Sequence, residues 1–161
     1  MNVKSDTYKV ALHYVASYCS KAERCRWDVL QRLKKFDLSD FDRQEIVSWL
    51  EKENFLDEER YCNAFVNDKV RFSRWGRLKI RLALQQKRVD DALIEKALEN
   101  INQSLYLENL SQLIAKKRRE LGQEEHLVLH SKLVRYASGR GFLYSEIERV
   151  LQDEGLFPGF I

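Results

Sequence analysis

The chain has 161 residues, is 44% hydrophobic and carries a net charge of +3 at pH 7, which excludes a disordered tail. Six glycines and one proline, Pro158, are too few for the many tight turns of an all-β domain, while good helix formers are abundant. We therefore predict an all-α protein.

The cysteines and the N-terminal sequence indicate the cellular compartment of the protein. Cys19, Cys25 and Cys62 form no Cys-x-x-Cys pair and leave an odd thiol in any disulfide scheme, which fits a reducing cytosol and a structural role. No apolar h-region follows Met1, and no stretch approaches the roughly 18 apolar residues of a membrane span. We expect a soluble, cytoplasmic protein.

Nine helices are predicted in chain order from the spacing of apolar residues. They lie near residues 6–20, 26–36, 42–54, 57–72, 75–87, 91–101, 103–120, 124–138 and 144–154. Polar residues that accept backbone N–H groups mark several of the helix starts. The predicted caps are the boxes Asp42-x-x-Glu45 and Ser145-x-x-Glu148, and the N-caps Asp57, Asp90 and Ser73, the last for the helix that begins near residue 75.

The apolar positions repeat with a period of about 50 residues. The same spacings occur in Ile80, Leu84, Val89, Ile94 and Leu98 and in Leu133, Ala137, Phe142, Ile147 and Leu151, and an earlier copy holds Leu30, Leu33, Ile46 and Leu50. This pattern predicts three tandem three-helix, helix-turn-helix-like repeats, at residues 1–55 with a short N-terminal extension, 56–101 and 102–161. Stacked in series, such repeats form an elongated, curved body.

Eight basic residues and no acidic one lie between Lys69 and Arg88. They are Lys69, Arg71, Arg74, Arg77, Lys79, Arg81, Lys87 and Arg88. On a helical wheel, Arg74, Arg77, Arg81 and Arg88 share an arc of roughly 60°, provided that helical phase continues through both ends of the predicted helix. Ile80, Ala83 and Leu84 flank this arc on one side, and Leu78 and Leu82 on the other. The pattern predicts a helix wedged between neighbours with only its arginine edge in water.

Phosphate is a suitable ligand for this segment, because guanidinium groups bind it in a bidentate manner and Trp75 can stack on a base. We interpret the segment as a site for nucleic acid or a nucleoprotein. Two alternatives remain: an acidic protein surface, or a solvated face paired with acids of the preceding helix. Those acids are Asp57, Glu58, Glu59 and Asp68.

Three further features of the sequence are less specific indicators of a functional site. Lys116, Lys117, Arg118 and Arg119 form a smaller basic cluster that also suits a helix C-terminus. His126 and His130 have the spacing of two metal ligands but no evident third, so we predict no metal, no cofactor and no enzymatic activity. The segment Phe157–Ile161 is expected to dock on the last repeat rather than to reach a partner.

Three stretches resemble the central signature of the RecX family: residues 55–66 (FLDEERYCNAFV), 71–81 (RFSRWGRLKIR) and 84–89 (LQQKRV). Ala11-Leu12-x-Tyr14-Val15 is similar to the opening helix of the family, and Lys132-Leu133 with Arg140-Gly141-Phe142 to its closing repeat. The chain departs from the family pattern at four positions. Asn54 and Arg88 stand where glycine is usual, Leu78 replaces a common proline, and Cys25 replaces a capping serine.

The resemblance implies a modular protein that binds the RecA recombinase filament, touching RecA protomers and single- or double-stranded DNA, and restrains its ATPase, recombinase and co-protease activities. It assigns DNA or filament contact to the basic central motif. With the neighbouring residues of the segment, the candidates are Arg71, Arg74, Trp75, Arg77, Lys79, Arg81, Lys87 and Arg88, with Lys116, Lys117, Arg118 and Arg119 as a secondary contact. Asp57, Glu58 and Arg60 match the acidic start of the motif, as a structural cap or a partner contact.

We expect a monomer that does not bind membranes. Two alternatives of other classes stay open, a stand-alone helix-turn-helix-like DNA-binding regulator and a helical adaptor for a protein partner.

Overall fold

A computed structural model describes residues 3–156 of the chain. Within that range the structure has nine α-helices and no strand. They are α1 (Asp6–Lys21), α2 (Arg26–Leu33), α3 (Asp40–Lys52), α4 (Glu58–Asp68), α5 (Arg77–Gln86), α6 (Asp91–Glu99), α7 (Gln103–Leu121), α8 (His126–Gly139) and α9 (Tyr144–Asp153), with a π-helical turn at Lys69–Ser73 between α4 and α5. The all-α prediction, with nine helices in three sets of three, is confirmed.

The helices group into two compact units. Among the described residues, one contains 3–64 together with Leu84–Ile94, and the other contains Phe65–Ala83 together with 95–156. Helices α4, α5 and α6 each have residues in both units. The repeat boundaries predicted at residues 55/56 and 101/102 stay a prediction.

The first unit has a core formed chiefly by one face of each of its first three helices. Residues spaced three or four apart along α1 pack against the buried sides of α2 and α3, as expected for amphipathic helices. The core residues are Tyr8, Ala11, Val15 and Cys19 of α1, Val29 and Leu33 of α2, Ile46, Val47 and Leu50 of α3, and Leu38 and Leu56 outside them. Of the apolar positions predicted for the first repeat, Leu30 alone is only partly buried.

The second unit has a core built from α7, α8 and α9. Its largest fully buried side chains include Tyr106 and Phe142, whose ring centroids are 5.1 Å apart. All ten apolar positions predicted for the two later repeats are at most 5% exposed. The periodicity of the sequence therefore identified buried residues correctly.

The predicted helix caps are confirmed at some positions and wrong at others. Asp57 Oδ1 accepts the N–H of Arg60 at 3.0 Å, and Asp90 Oδ1 accepts that of Ala92 at 2.8 Å, so both aspartates cap as predicted. At α3, Ser39 is the cap and accepts the N–H of Asp42 at 3.1 Å. The predicted box at Asp42 is wrong because α3 begins two residues earlier.

The predicted box from Ser145 to Glu148 is also wrong. Helix α9 begins at Tyr144, and Glu146 Oε1 accepts the N–H of Leu143 at 2.9 Å. Because this carboxylate reaches back over the first turn, the N-terminus of α9 is capped two residues earlier than predicted.

No helix within residues 3–156 is long and apolar enough to cross a membrane.

Candidate nucleic-acid interface

The basic segment begins in a π-helical turn that the sequence did not predict. Helix α4 ends at Asp68, the turn spans Lys69–Ser73, and Arg74 adopts a left-handed conformation with φ 53°. The buried Asn109 of α7 donates its Nδ2 to the carbonyl of Val70 at 2.8 Å. Isolated π turns often occur at functional sites, and here the turn displaces the start of α5 to Arg77.

The N-terminus of α5 is held by contacts from distant parts of the second unit. The N–H groups of Gly76 and Leu78 donate to the carbonyls of Arg140 and Gly141 at 2.8 Å and 3.0 Å. The N–H of Arg77 donates to the hydroxyl of Tyr106 at 3.0 Å. These contacts satisfy the free N–H groups of the first turn. The prediction that Ser73 caps this helix is therefore wrong, since Ser73 lies within the π turn.

Arg77 is the centre of an ion-pair and hydrogen-bond network. Its Nη1 lies 3.1 Å from Glu146 Oε2, and its Nη2 donates to Gln103 Oε1 at 2.7 Å. The guanidinium carbon lies 4.2 Å from the ring centroid of Tyr106, whose hydroxyl donates to Glu146 Oε1 at 3.1 Å. Burial is the main cause of the raised pKa of Tyr106. Only 22% of the Arg77 side chain is exposed, so this arginine is largely occupied within the fold.

Two more of the predicted contact residues pair with carboxylates. Arg81 forms a bidentate contact with Glu95, at 2.6 Å and 3.1 Å, and the hydrogen bond lowers the pKa of the Glu95 carboxyl. In the other unit, Lys87 Nζ lies 2.5 Å from Asp28 Oδ1 and 4.7 Å from the ring centroid of Trp27. None of these carboxylates is among the acids predicted as pairing partners, Asp57, Glu58, Glu59 and Asp68.

Of the predicted contact residues between Lys69 and Arg88, three in the second unit form no ion pair with any residue that the structure describes. Arg71 and Arg74 are exposed and Lys79 is half-buried. We call Arg71, Arg74 and Lys79 the basic ridge. Phe72, which lies between the two arginines in sequence, is 75% exposed.

Two lysine ammonium groups lie close to the ring of Trp75. Lys69 Nζ and Lys79 Nζ each lie 4.5 Å from its ring centroid. Cation–π contacts of this kind position a lysine without neutralising it, so the charge remains available to an anion. Lys69 was not among the predicted contact residues.

Arg88 lies in the first unit, two residues after the end of α5. It is exposed, forms no ion pair among residues 3–156, and has φ 56°, in the left-handed region. The glycine that the resemblance implies here would suit this backbone conformation.

The predicted arginine stripe is wrong in its geometry. Arg74 and Arg88 lie outside α5 and both have left-handed backbone, so helical phase is lost at each end. Leu78 and Leu82, predicted to face a neighbour, are 43% and 57% exposed, whereas Ile80 and Leu84 are fully buried. Helix α5 therefore exposes an apolar strip as well as basic residues.

The secondary cluster lies in the last two turns of α7. Lys117 Nζ lies 3.8 Å from Glu120 and 5.1 Å from the ring centroid of Tyr136. Lys116, Arg118 and Arg119 are exposed. Helix α7 ends at Leu121, so the cluster has the position that the helix dipole favours for cations.

The two histidines considered as metal ligands are both on α8. His130 Nε2 contacts Glu148 Oε1 at 2.7 Å. In the part of the chain that the structure describes, no three His, Cys, Asp or Glu residues come together as a metal site. The segment Phe157–Ile161 lies outside the described residues.

Comparison with known proteins gives a consistent result. The profile of a domain described as "RecX, second three-helix domain" matches residues 57–98. A Clostridium acetobutylicum protein named "Regulatory protein RecX" is 26% identical over 155 residues, which cover 94% of this chain and 72% of that protein. A protein of the same name from Clostridium botulinum strain Alaska E43 is 33% identical over 124 residues, covering 74% of this chain and 58% of that protein.

The fold is also that of a solved structure. The crystal structure of RecX from Lactobacillus salivarius superposes with a TM-score of 0.85 at 23% identity, covering 94% of this chain and 99% of that one. Fold, domain profile and named relatives agree, and the chain belongs to the RecX family.

Proposed function

We propose that this protein binds the RecA nucleoprotein filament and restrains its ATP turnover, strand exchange and co-protease activity. The proposal rests on membership of a family whose members are named regulatory proteins. The observation that carries it within this chain is the basic ridge, because Arg71, Arg74 and Lys79 have no carboxylate partner among residues 3–156.

The basic ridge provides the contact with DNA in this proposal. Exposed guanidinium groups bind phosphate oxygens with two hydrogen bonds and release counterions from the strand. The exposed apolar strip of Leu78 and Leu82 provides a surface of the kind that protein partners cover. A nucleoprotein offers both types of contact.

Inhibition needs no chemical step. A ligand that binds one conformational state of a filament more tightly than another shifts the filament towards that state. We therefore propose a stoichiometric regulator rather than an enzyme, and the mechanism uses no cofactor.

The test is the single-stranded-DNA-dependent ATPase rate of the cognate RecA, titrated with the wild-type chain and with a ridge variant, Arg71→Gln/Arg74→Asn/Lys79→Gln. Asparagine is chosen at position 74 because it tolerates left-handed backbone better than most residues. We expect the wild type to inhibit and the ridge variant to need at least about tenfold more protein, as for the loss of several charge-assisted hydrogen bonds.

The matched control removes the same charge from exposed positions on α3, α8 and α9 that belong to no candidate contact, with Lys52→Gln/Arg135→Gln/Arg149→Gln. It should inhibit like the wild type. Equal loss in both variants would reject the ridge as the contact. No inhibition by the wild-type chain would reject filament regulation and leave the stand-alone DNA-binding regulator as the function to test.

A further inference from the structure

A second basic surface, separate from the basic ridge, lies on helices α1 and α2. An open groove of about 500 Å³ is lined by residues of α1 and α2 and of the loop between them. Its lining residues are Val10, His13, Tyr14, Ser17, Tyr18, Lys21, Arg24 and Arg32. Three of these carry a full positive charge at pH 7 and none is a carboxylate.

Two guanidinium groups converge on one tyrosine ring in this groove. The guanidinium carbons of Arg24 and Arg32 lie 3.9 Å and 4.5 Å from the ring centroid of Tyr18. Neither arginine forms an ion pair with any residue between 3 and 156. Like charges held this close repel each other, and a bound anion would relieve the repulsion.

A neighbouring tyrosine holds a third cation in place. Lys35 Nζ lies 3.6 Å from the ring centroid of Tyr14, and Arg32 Nη1 donates to the Tyr14 hydroxyl at 3.2 Å. These two contacts lower the pKa of the Tyr14 hydroxyl. Arg24 Nε also donates to the backbone carbonyl of Tyr18 at 3.3 Å. A guanidinium carries more N–H donors than these hydrogen bonds use, so most donors of Arg24 and Arg32 remain available to an acceptor.

We propose that this groove, defined by Tyr14, Tyr18, Arg24 and Arg32 with Lys35 beside Tyr14, is a separate binding site for the phosphodiester backbone of single-stranded nucleic acid. Phosphate fits the site because a planar guanidinium donates two parallel hydrogen bonds to it. The open form of the groove suits a chain that passes through rather than a small molecule that is enclosed. The site lies within the first unit and does not depend on the proposed RecA function.

The test is binding of a short fluorescent oligothymidylate to the full-length chain in the absence of RecA, followed by anisotropy over a range of salt concentrations. The groove variant is Arg24→Gln/Arg32→Gln. We expect it to bind at least about tenfold more weakly, with a salt slope reduced by about one for each phosphate that the variant no longer neutralises. The charge-matched control, Lys52→Gln/Arg135→Gln, removes two exposed cations from α3 and α8 and should stay within about twofold of the wild type.

A second variant separates charge from geometry. Arg24→Lys/Arg32→Lys keeps both charges but loses the planar fork, and it should show part of the reduction in affinity. Ultraviolet cross-linking of the wild type to a thiothymidine oligonucleotide should label the peptide that contains Tyr14 and Tyr18. This measurement locates the strand even where a variant fails to fold.

Equal weakening in the groove and control variants, or cross-links confined to other peptides, would overturn the assignment. A groove variant that binds oligothymidylate normally but no longer inhibits RecA would assign the groove to an acidic protein surface instead, which also overturns it. A wild-type chain that binds DNA through the groove but leaves RecA unaffected would support this site while rejecting the proposed function.

Discussion

The basic side chains between Lys69 and Arg88 differ in what their substitution can report. Arg77 is tied to Glu146, whereas Arg74 has no ion-pair partner among the residues that the structure describes. Weaker binding after Arg77 is removed would therefore mix a stability effect with any effect on the ligand. Arg74 reports on ligand binding alone, because its exposed side chain forms no ion pair or hydrogen bond with residues 3–156.

We predict that Arg77→Gln lowers the free energy of unfolding by about 2 kcal/mol, because Glu146 loses its cationic partner while only 12% of its side chain is exposed. Arg74→Asn should change it by less than about 0.5 kcal/mol, as at other exposed sites. Urea denaturation followed by circular dichroism measures both values.

A double variant provides the control for the Arg77 prediction. Adding Glu146→Gln to Arg77→Gln removes the unpaired charge and should recover part of the stability. Equal stability of the wild type and Arg77→Gln would show that the ion pair does not stabilise the start of α5.

At the scale of the element, the backbone just before α5, at Gly76, packs directly against the backbone of the loop after α8, at Gly141. A Cβ atom added to Gly76 would lie 2.2 Å from the carbonyl carbon of Gly141. Because the clash is with backbone, rotation of a side chain cannot relieve it. The same close packing of Gly76 against Gly141 positions the carbonyls of Arg140 and Gly141, which accept the N–H groups of Gly76 and Leu78.

We predict that Gly76→Ala lowers the free energy of unfolding by at least about 3 kcal/mol, since the overlap forces the loop at Gly141 away from α5 and breaks its hydrogen bonds. Gly139→Ala, in the last turn of α8, meets no atom of residues 3–156 within 4 Å and should be neutral or stabilising by up to about 1 kcal/mol. Thermal and urea unfolding of the two variants, compared with the wild type, tests this. Similar stability of Gly76→Ala and the wild type would contradict the close approach.

Helical elements were largely predictable from the sequence, because apolar spacing at three and four residues reports which side of a helix is buried. Local capping was predictable at Asp57 and Asp90, where the acceptor is close in sequence. The start of α5 was not, because its N–H groups are satisfied by residues about 30 and 60 positions away, as the bonds to Tyr106 and Arg140 show.

The candidate site was predictable in composition but not in geometry. Eight cations without an acid were visible in the sequence, yet their ion pairs with Glu95, Glu146 and Asp28 depend on tertiary packing. The π turn and the left-handed Arg74 and Arg88 also broke the assumed helical phase. The groove on α1 and α2 was missed because its cations are scattered between Lys21 and Lys35 and its aromatic residues resemble core positions.

At the scale of the whole molecule, three helices have residues in both compact units, and α4 carries Cys62 in its first-unit part. Cys19, Cys25 and Cys62 are all buried and all belong to the first unit. Burial raises the pKa of Cys25 to about 12 and those of Cys19 and Cys62 to about 11. Their reactivity therefore reports the opening of the first unit.

We predict that no thiol reacts with an aromatic disulfide reagent at pH 8 in the folded wild type, because the sulfurs are inaccessible and their raised pKa keeps them protonated. All three should react once the chain is unfolded in urea.

In Gly76→Ala, whose change lies in the second unit, labelling of the three first-unit thiols should also be faster than in the wild type. A helix loses structure cooperatively, so opening the second-unit end of α4 exposes its first-unit end. The Gly139→Ala variant, labelled in parallel, should match the wild type. Wild-type labelling rates in a Gly76→Ala protein that has become less stable by circular dichroism would instead show that the two units unfold independently.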